Sequence, residues 1–95
     1  MIIGACVIEL HLPGNGSLKG KRSVVKPILA RLHQEFNVSA AEVGRQDAWQ
    51  VAEIGLALIA NDAGHVQAVL QRAVGWIEAN RPDVQVVDYS IEVIA

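Results

Sequence analysis

The spacing of apolar residues changes repeatedly along this chain, and the order of those changes constrains the fold more than any other feature. The apolar segment Ile2–Leu12 ends with Glu9 and His11 alternating with Ile8, Leu10 and Leu12, which predicts a strand with one buried face. Over Val24–Phe36 the apolar residues recur every three or four positions, as in an amphipathic helix. Two further strands are predicted over Val38–Arg45 and Trp49–Ala60, joined by residues 46–48.

The second half of the chain repeats the helix and strand pattern. Asn61 or Asp62 can cap a second helix, and the segment Asn80–Asp83, with Pro82, ends it. A last strand, Gln85–Ile94, would place Val87, Tyr89, Ile91 and Val93 inward. The order strand, helix, strand, strand, helix, strand predicts a single α+β domain over residues 1–95. Right-handed crossovers make it a ferredoxin-like βαββαβ sandwich: a four-stranded antiparallel sheet of order 4-1-3-2 with both helices on one face.

The start of the first helix has two candidate caps. Ser17 would cap a long helix, but Pro27 would then lie in its interior without an amide hydrogen, at a cost of about 3 kcal/mol. Ser23 would place Pro27 in or just past the first turn, where the missing hydrogen matters little. We therefore expect a loose turn through Lys19–Arg22 and a firm helix from about Val24.

Composition limits the classes of protein to which the chain can belong. It has 95 residues, 52% of them apolar and 19% charged, which suits one well-packed domain. The net charge of −2 argues against a general nucleic-acid binder, and no DNA partner is expected. The lone Cys6 cannot form an intrachain disulfide and is expected to be buried and inert. With no signal-peptide or membrane-helix pattern, a cytoplasmic location is predicted, with no membrane partner.

Basic residues are concentrated in one segment. Five of the eight lysines and arginines lie between residues 19 and 31. Four of them, Lys19, Lys21, Arg22 and Lys26, would form a basic corner where a loop enters the first helix. Helix N-termini favour anions, so this corner could contact phosphate or RNA. A solvated, lysine-rich first turn explains the same pattern.

The helix-free face of the predicted sheet has an apolar end and an acidic end. Residue parity places Ile3, Val7, Trp49 and Ile59 on it, and these are the predicted homodimer contacts. Glu9, Glu53 and Asp88 fall together at the acidic end, and Glu42 is expected to point outward because lone buried carboxylates are rare. A solvated sheet with scattered apolar residues is the alternative.

Complete catalytic and ligand motifs are absent from the sequence. An RNA-recognition motif needs aromatic residues on its first and third strands, and the first strand has none. The segment Gly14–Gly16 lacks the spacing of a nucleotide-binding loop, and the three histidines lack metal-ligand spacing. We therefore predict no catalytic residues, no cofactor and no metal. A weaker alternative is a small-ligand or cation site made by His11 with Glu9, Glu53 and Asp88.

Stretches across nearly the whole chain resemble the YlxP-like family of small bacterial proteins, a domain of unknown function. They are IELHLP, SLKGKRSVVKPIL, FNVSAAEV, QDAWQ, NDAGHV and VDYSIEV. The resemblance implies a ferredoxin-like fold and, because such proteins are often encoded beside translation and ribosome-maturation genes, a role near the ribosome. The matching motif positions are Ser17, Leu18, Lys19, Lys21, Arg22 and Ser23, then Gln46, Asp47, Trp49 and Gln50. Gly20, Val51 and Pro27 depart from the family pattern.

Three functional hypotheses follow from the sequence. The first is a non-enzymatic cytoplasmic binding protein that docks its basic corner on RNA or on the translation machinery. The second is a structural or regulatory homodimer assembled through the open sheet face without nucleic acid. The third is a small-ligand or metal binder that uses the acidic end of that face.

Overall fold

The computed structural model describes residues 1–94 and has the predicted order of elements. The elements are β1 (Ile2–His11), α1 (Leu18–Phe36), β2 (Ser39–Gly44), β3 (Val51–Ala60), α2 (Ala63–Asn80) and β4 (Gln85–Ile94). All strand pairs are antiparallel, and the sheet order is β2-β3-β1-β4. Read from the other edge this is 4-1-3-2, so the predicted ferredoxin-like α+β fold is confirmed.

The core lies between the sheet and the two helices. Alternate residues of β1, among them Cys6, Ile8 and Leu10, are buried and meet the inward residues Ile54 and Leu56 of β3. The helices contribute a matching apolar stripe each: Val25, Ile28 and Leu32 from α1, and Val66, Val69, Leu70, Ala73, Val74 and Ile77 from α2. The parity inferred for these elements from sequence is thus confirmed. Asp62 is the cap of α2, since its Oδ2 accepts a hydrogen bond from the His65 amide at 2.7 Å.

The first helix begins earlier than expected. Ser17 is its N-cap, and its Oγ accepts a hydrogen bond from the Gly20 amide at 2.9 Å. The expected loose turn through Lys19–Arg22 is therefore wrong, and Pro27 lies inside a 19-residue helix. The cap and the tertiary contacts of the first turn, described below, offset the hydrogen bond that Pro27 cannot make.

Pairing is irregular at both edge strands, and the register of β2 with β3 shifts between Glu42 and Gly44. The register of β1 with β4 shifts after Glu9, so that Leu10 pairs with Val86. Val86 consequently packs against the core, while Val87 is exposed, which makes the expected inward orientation of Val87 wrong. A bulge of one residue reverses side-chain direction without changing the alternation that a sequence displays, so pattern alone does not reveal it.

The Cys6 thiol lies in the core, as expected, and this gives a pH-dependent prediction. Burial raises its pKa from 9.0 to about 11. The folded state therefore holds a proton that the unfolded state releases, and stability that is present below pH 9 is lost as the pH rises toward 11. Between pH 8 and pH 10.5, the unmodified protein should lose about 2 kcal/mol more unfolding free energy than the Cys6→Ala variant. Urea titrations of both proteins at the two pH values measure this, and equal losses would contradict the buried-thiol explanation.

Candidate functional site

The first turn of α1 is tied to the connection between β2 and β3. The Asn15 side-chain amide donates to the carbonyl oxygen of Ser17 at 2.8 Å and to that of Trp49 at 2.5 Å. In return, the Gln50 side-chain amide donates to the Asn15 carbonyl at 3.2 Å. Two of the six stretches that carry the family resemblance, SLKGKRSVVKPIL and QDAWQ, therefore contact each other.

The Lys21 side chain makes the strongest of these connections. Lys21 is only 1% exposed, and its ammonium donates hydrogen bonds to the carbonyl oxygens of Arg45, Ala48 and Val51 at 2.7, 2.8 and 3.0 Å. A further carbonyl oxygen, that of Gln46, lies at 3.4 Å. The ammonium thus sits in a cage of main-chain oxygens, and the connection between β2 and β3 is wrapped around it.

Glu42 closes the cage with a negative charge. Its Oε2 lies 2.8 Å from the Lys21 Nζ, and its side chain is 20% exposed. The three ammonium protons are already directed to carbonyl oxygens, so this contact is an ion pair without a hydrogen bond of good angle. The pair neutralises a charge that would otherwise be costly to bury.

Two site predictions change as a result. The structure separates Lys21 from the other residues of the predicted basic corner, because its ammonium points inward. Glu42 was expected on the open face, and that is wrong: it pairs in register with the buried Ile54 and faces α1. The rule against lone buried carboxylates holds, since Glu42 has a buried partner. Helical spacing could have revealed this partner, because Lys21 falls in phase with Val25, Ile28 and Leu32.

The remaining cations of the corner share the outer side of α1. Lys19, Arg22 and Lys26 are exposed at intervals of three and four residues, and they line one shallow depression with Ser23 and Pro27. Within residues 1–94, none of the three forms a salt bridge. We call these three residues the basic face. By contrast, Arg31 pairs with Glu35 at 3.0 Å and lies over the Trp76 ring, 5.4 Å from its centroid.

The open face, the sheet side away from the helices, carries a row of three exposed isoleucines. Ile3 pairs with Ile59 on β3 and with Ile94 on β4, so the three side chains lie across adjacent strands. They are 36%, 65% and 48% exposed. We call them the isoleucine row. Two of its members, Ile3 and Ile59, are among the four predicted dimer contacts, and dimerisation through them stays a prediction.

A floor of small apolar residues continues from the isoleucine row. It is a depression of about 430 Å³ whose lining is almost entirely apolar. Gly55 leaves room for the Val43 side chain, since a Cβ added to Gly55 would lie 2.8 Å from Val43 Cγ1. We call this depression the apolar floor; its side chains are those of Ala5, Val7, Ala41, Val43 and Ala57.

Carboxylates occupy the far end of the same face. Glu9 pairs in register with Glu53 on one side and with Asp88 on the other, as the sequence predicted. We call these three residues the acidic cluster, and they line a depression of about 190 Å³ with Val7, Tyr89 and Ser90. His11 lies beside it, with Nε2 3.7 Å from Glu9 Oε2. Over residues 1–94, no group of three or more His, Cys, Asp or Glu side chains is arranged so that it could hold a metal ion, so the geometry gives the proposed cation site no support.

Trp49 does not join the isoleucine row. It precedes β3, in the connection held by Lys21 and Asn15, and it is 54% exposed. That connection lies at the end of the sheet where His11 pairs with Val51. Ile3 pairs with Ile59 at the opposite end. The predicted dimer contacts therefore do not form one continuous patch. Sequence reasoning did not identify Lys21 as the residue that positions this tryptophan.

Comparison with known proteins identifies relatives by sequence. The family described as "Protein of unknown function (DUF503)" matches residues 3–91. The "Uncharacterized protein YlxP" of Bacillus subtilis (strain 168) is 38% identical over 78 residues, which span 82% of this chain and 85% of that protein. Neither description includes an enzymatic activity.

Comparison with solved structures supports the fold alone. "De novo designed protein Foldit4" superposes with a TM-score of 0.55 at 12% identity, covering 100% of this chain and 98% of that one. In the described part of the chain, neither helix combines the length and hydrophobicity that a membrane crossing requires. The family match over residues 3–91 and the 38% identity to the YlxP protein show that this chain belongs to the DUF503 family.

Proposed function

We propose that the protein is a non-enzymatic cytoplasmic binding protein whose basic face docks on the phosphate backbone of RNA in the translation machinery. The observation that carries the proposal is the exposure of Lys19, Arg22 and Lys26 on one side of α1 without a carboxylate partner among residues 1–94. Unpaired cations in a row are suited to polyanions, because each can neutralise one phosphate and release its counterions.

The rest of the surface supports a local contact of one orientation. The sheet strands contain no lysine or arginine, and the open face carries the acidic cluster, which repels phosphate. An RNA strand would therefore approach α1 from outside and make no contact with the sheet. Lys21 cannot reach RNA because its ammonium is buried among carbonyl oxygens, and its charge is offset by Glu42.

The salt dependence of binding tests the number of cations involved. With three phosphate contacts, the logarithm of the association constant should fall with the logarithm of salt concentration with a slope of about −2 to −3. Filter binding or fluorescence anisotropy with ribosomal RNA fragments, at several salt concentrations, measures the slope. We expect Arg22→Ala to reduce its magnitude by about 1.

Arg72→Ala is the matched control for this measurement. Arg72 is exposed on α2 and its removal changes the net charge by the same amount. If both variants weaken binding equally, the contact is a general charge effect, and the basic face is not the docking site. Absence of binding at low salt would contradict the proposal as a whole.

A further inference from the structure

We propose that the open face binds an amphipathic helix of a partner protein, one whose apolar stripe ends in lysine or arginine. The inference uses a surface other than the basic face and is independent of the proposed RNA contact. It is based on the order of three zones along the strands: the isoleucine row, the apolar floor and the acidic cluster.

The pairing register fixes the order and spacing of these zones. Along β1, the isoleucine row is at Ile3, the apolar floor spans Ala5 and Val7, and the acidic cluster begins at Glu9. At about 3.3 Å per residue, the apolar part is about 13 Å long and the carboxylates lie about 7 Å beyond it. A helix with a rise of about 1.5 Å covers the apolar part with about nine residues and reaches the carboxylates one turn later.

The physical character of the face suits a helix of this kind. A sheet with apolar side chains on both faces needs a layer on each, and α1 and α2 cover only one. The small side chains of Ala5, Ala41 and Ala57 allow the partner's main chain to approach closely. The isoleucine row then gives the partner's apolar side chains a large contact surface.

The negative charge of the acidic cluster favours a basic partner. The four strands contain no lysine or arginine, and residues 1–94 provide no cation within salt-bridge distance of Glu53 or Asp88. Carboxylates directly opposite one another on neighbouring strands repel, as Glu9 does with Glu53 and Asp88. A lysine or arginine placed over them relieves this repulsion and orients the helix.

A second copy of the chain fits the same face less well. Two open faces related by a two-fold axis along the strands would place one acidic cluster against the other. An axis across the strands at their centre would place each acidic cluster over the partner's isoleucine row. The first arrangement opposes like charges and the second desolvates carboxylates against apolar groups, so both are unfavourable.

Binding of two designed peptides tests the proposal. The first is an 18-residue helical peptide with a leucine stripe over nine residues and two lysines one turn beyond; the second has glutamates in place of the lysines. Titration into the isotopically labelled protein, followed by NMR, reports affinity and location. We expect saturable shifts at amides of β1, β3 and β4 around the three zones, with at least tenfold tighter binding of the lysine peptide.

Matched variants separate the contributions of charge and apolar contact. Glu53→Lys should abolish the preference for the lysine peptide, whereas Glu78→Lys, an exposed change on α2, should preserve it. Ile59→Ser should weaken both peptides at least fivefold. Equal affinity for the two peptides, shifts elsewhere or no binding would overturn the proposal. So would a dimer, detected by sedimentation without peptide, that Ile59→Ser dissociates, because the occupant would then be a second copy.

Discussion

Replacing Lys21 with methionine is expected to lower the free energy of unfolding by about 3–5 kcal/mol, the range typical of breaking a buried ion pair. Methionine has similar length and apolar volume, so the change removes the ammonium and keeps most of the packing. The Glu42 carboxylate and the carbonyl oxygens of Arg45, Ala48 and Val51 would then lose their common partner. Urea denaturation followed by circular dichroism measures the loss.

Two controls separate this effect from a simple change of charge. Lys26→Met removes the same charge from the exposed side of the same helix, and surface changes of that kind are usually within about 0.5 kcal/mol. Adding Glu42→Gln to Lys21→Met removes the unpaired carboxylate and should restore part of the lost stability. A loss below about 1 kcal/mol for Lys21→Met would show that the carbonyl cage contributes little to stability.

The same experiment bears on Trp49. The main chain on both sides of this residue is held by hydrogen bonds from Lys21, and the Trp49 carbonyl by a bond from Asn15, while the ring remains exposed. We infer that the connection between β2 and β3 depends on Lys21 for its conformation. In Lys21→Met, amide hydrogen exchange should therefore accelerate over residues 45–50 more than in the core strands.

The fold could be predicted from sequence because its signal is repeated. Each strand and helix shows its own period, and the order of periods leaves few topologies once handedness is fixed. The open face was also predictable, since parity placed Ile3, Glu9 and Glu53 together and the register confirms it. These predictions require only the positions of apolar and polar residues along the chain.

The wrong predictions concern polar residues that stabilise the fold from inside it and strands whose pairing contains a bulge. Lys21 lies in phase with the core stripe of α1, but its charge led to its assignment to the surface. Glu42 was then placed outward because its partner had not been recognised. The cage needs carbonyl oxygens that only tertiary folding brings together, and the bulge beside Val87 likewise depends on strand pairing.

Gly4→Ala is expected to destabilise the protein by about 1–3 kcal/mol, although alanine is a small residue. Gly4 lies where α2 crosses β1, and an added Cβ would be 2.2 Å from Val66 Cγ1 and 3.1 Å from Leu70 Cδ1. Both helix side chains are buried in the core, so neither can move away freely. The close approach of helix and strand therefore requires a residue without a side chain.

A double-mutant cycle with Val66→Ala tests whether the Gly4 effect arises at this contact. Val66→Ala alone should destabilise by leaving a cavity, but together with Gly4→Ala the loss should be smaller than the sum by at least about 1 kcal/mol. Gly75→Ala is the control: apart from its chain neighbours and the surrounding helix backbone, no atom lies within 4 Å of its added Cβ, and alanine in an exposed helix position should stabilise by about 0.5–1 kcal/mol. Additive losses in the Gly4 and Val66 cycle would mean that the contact with Val66 is not what disfavours the methyl group.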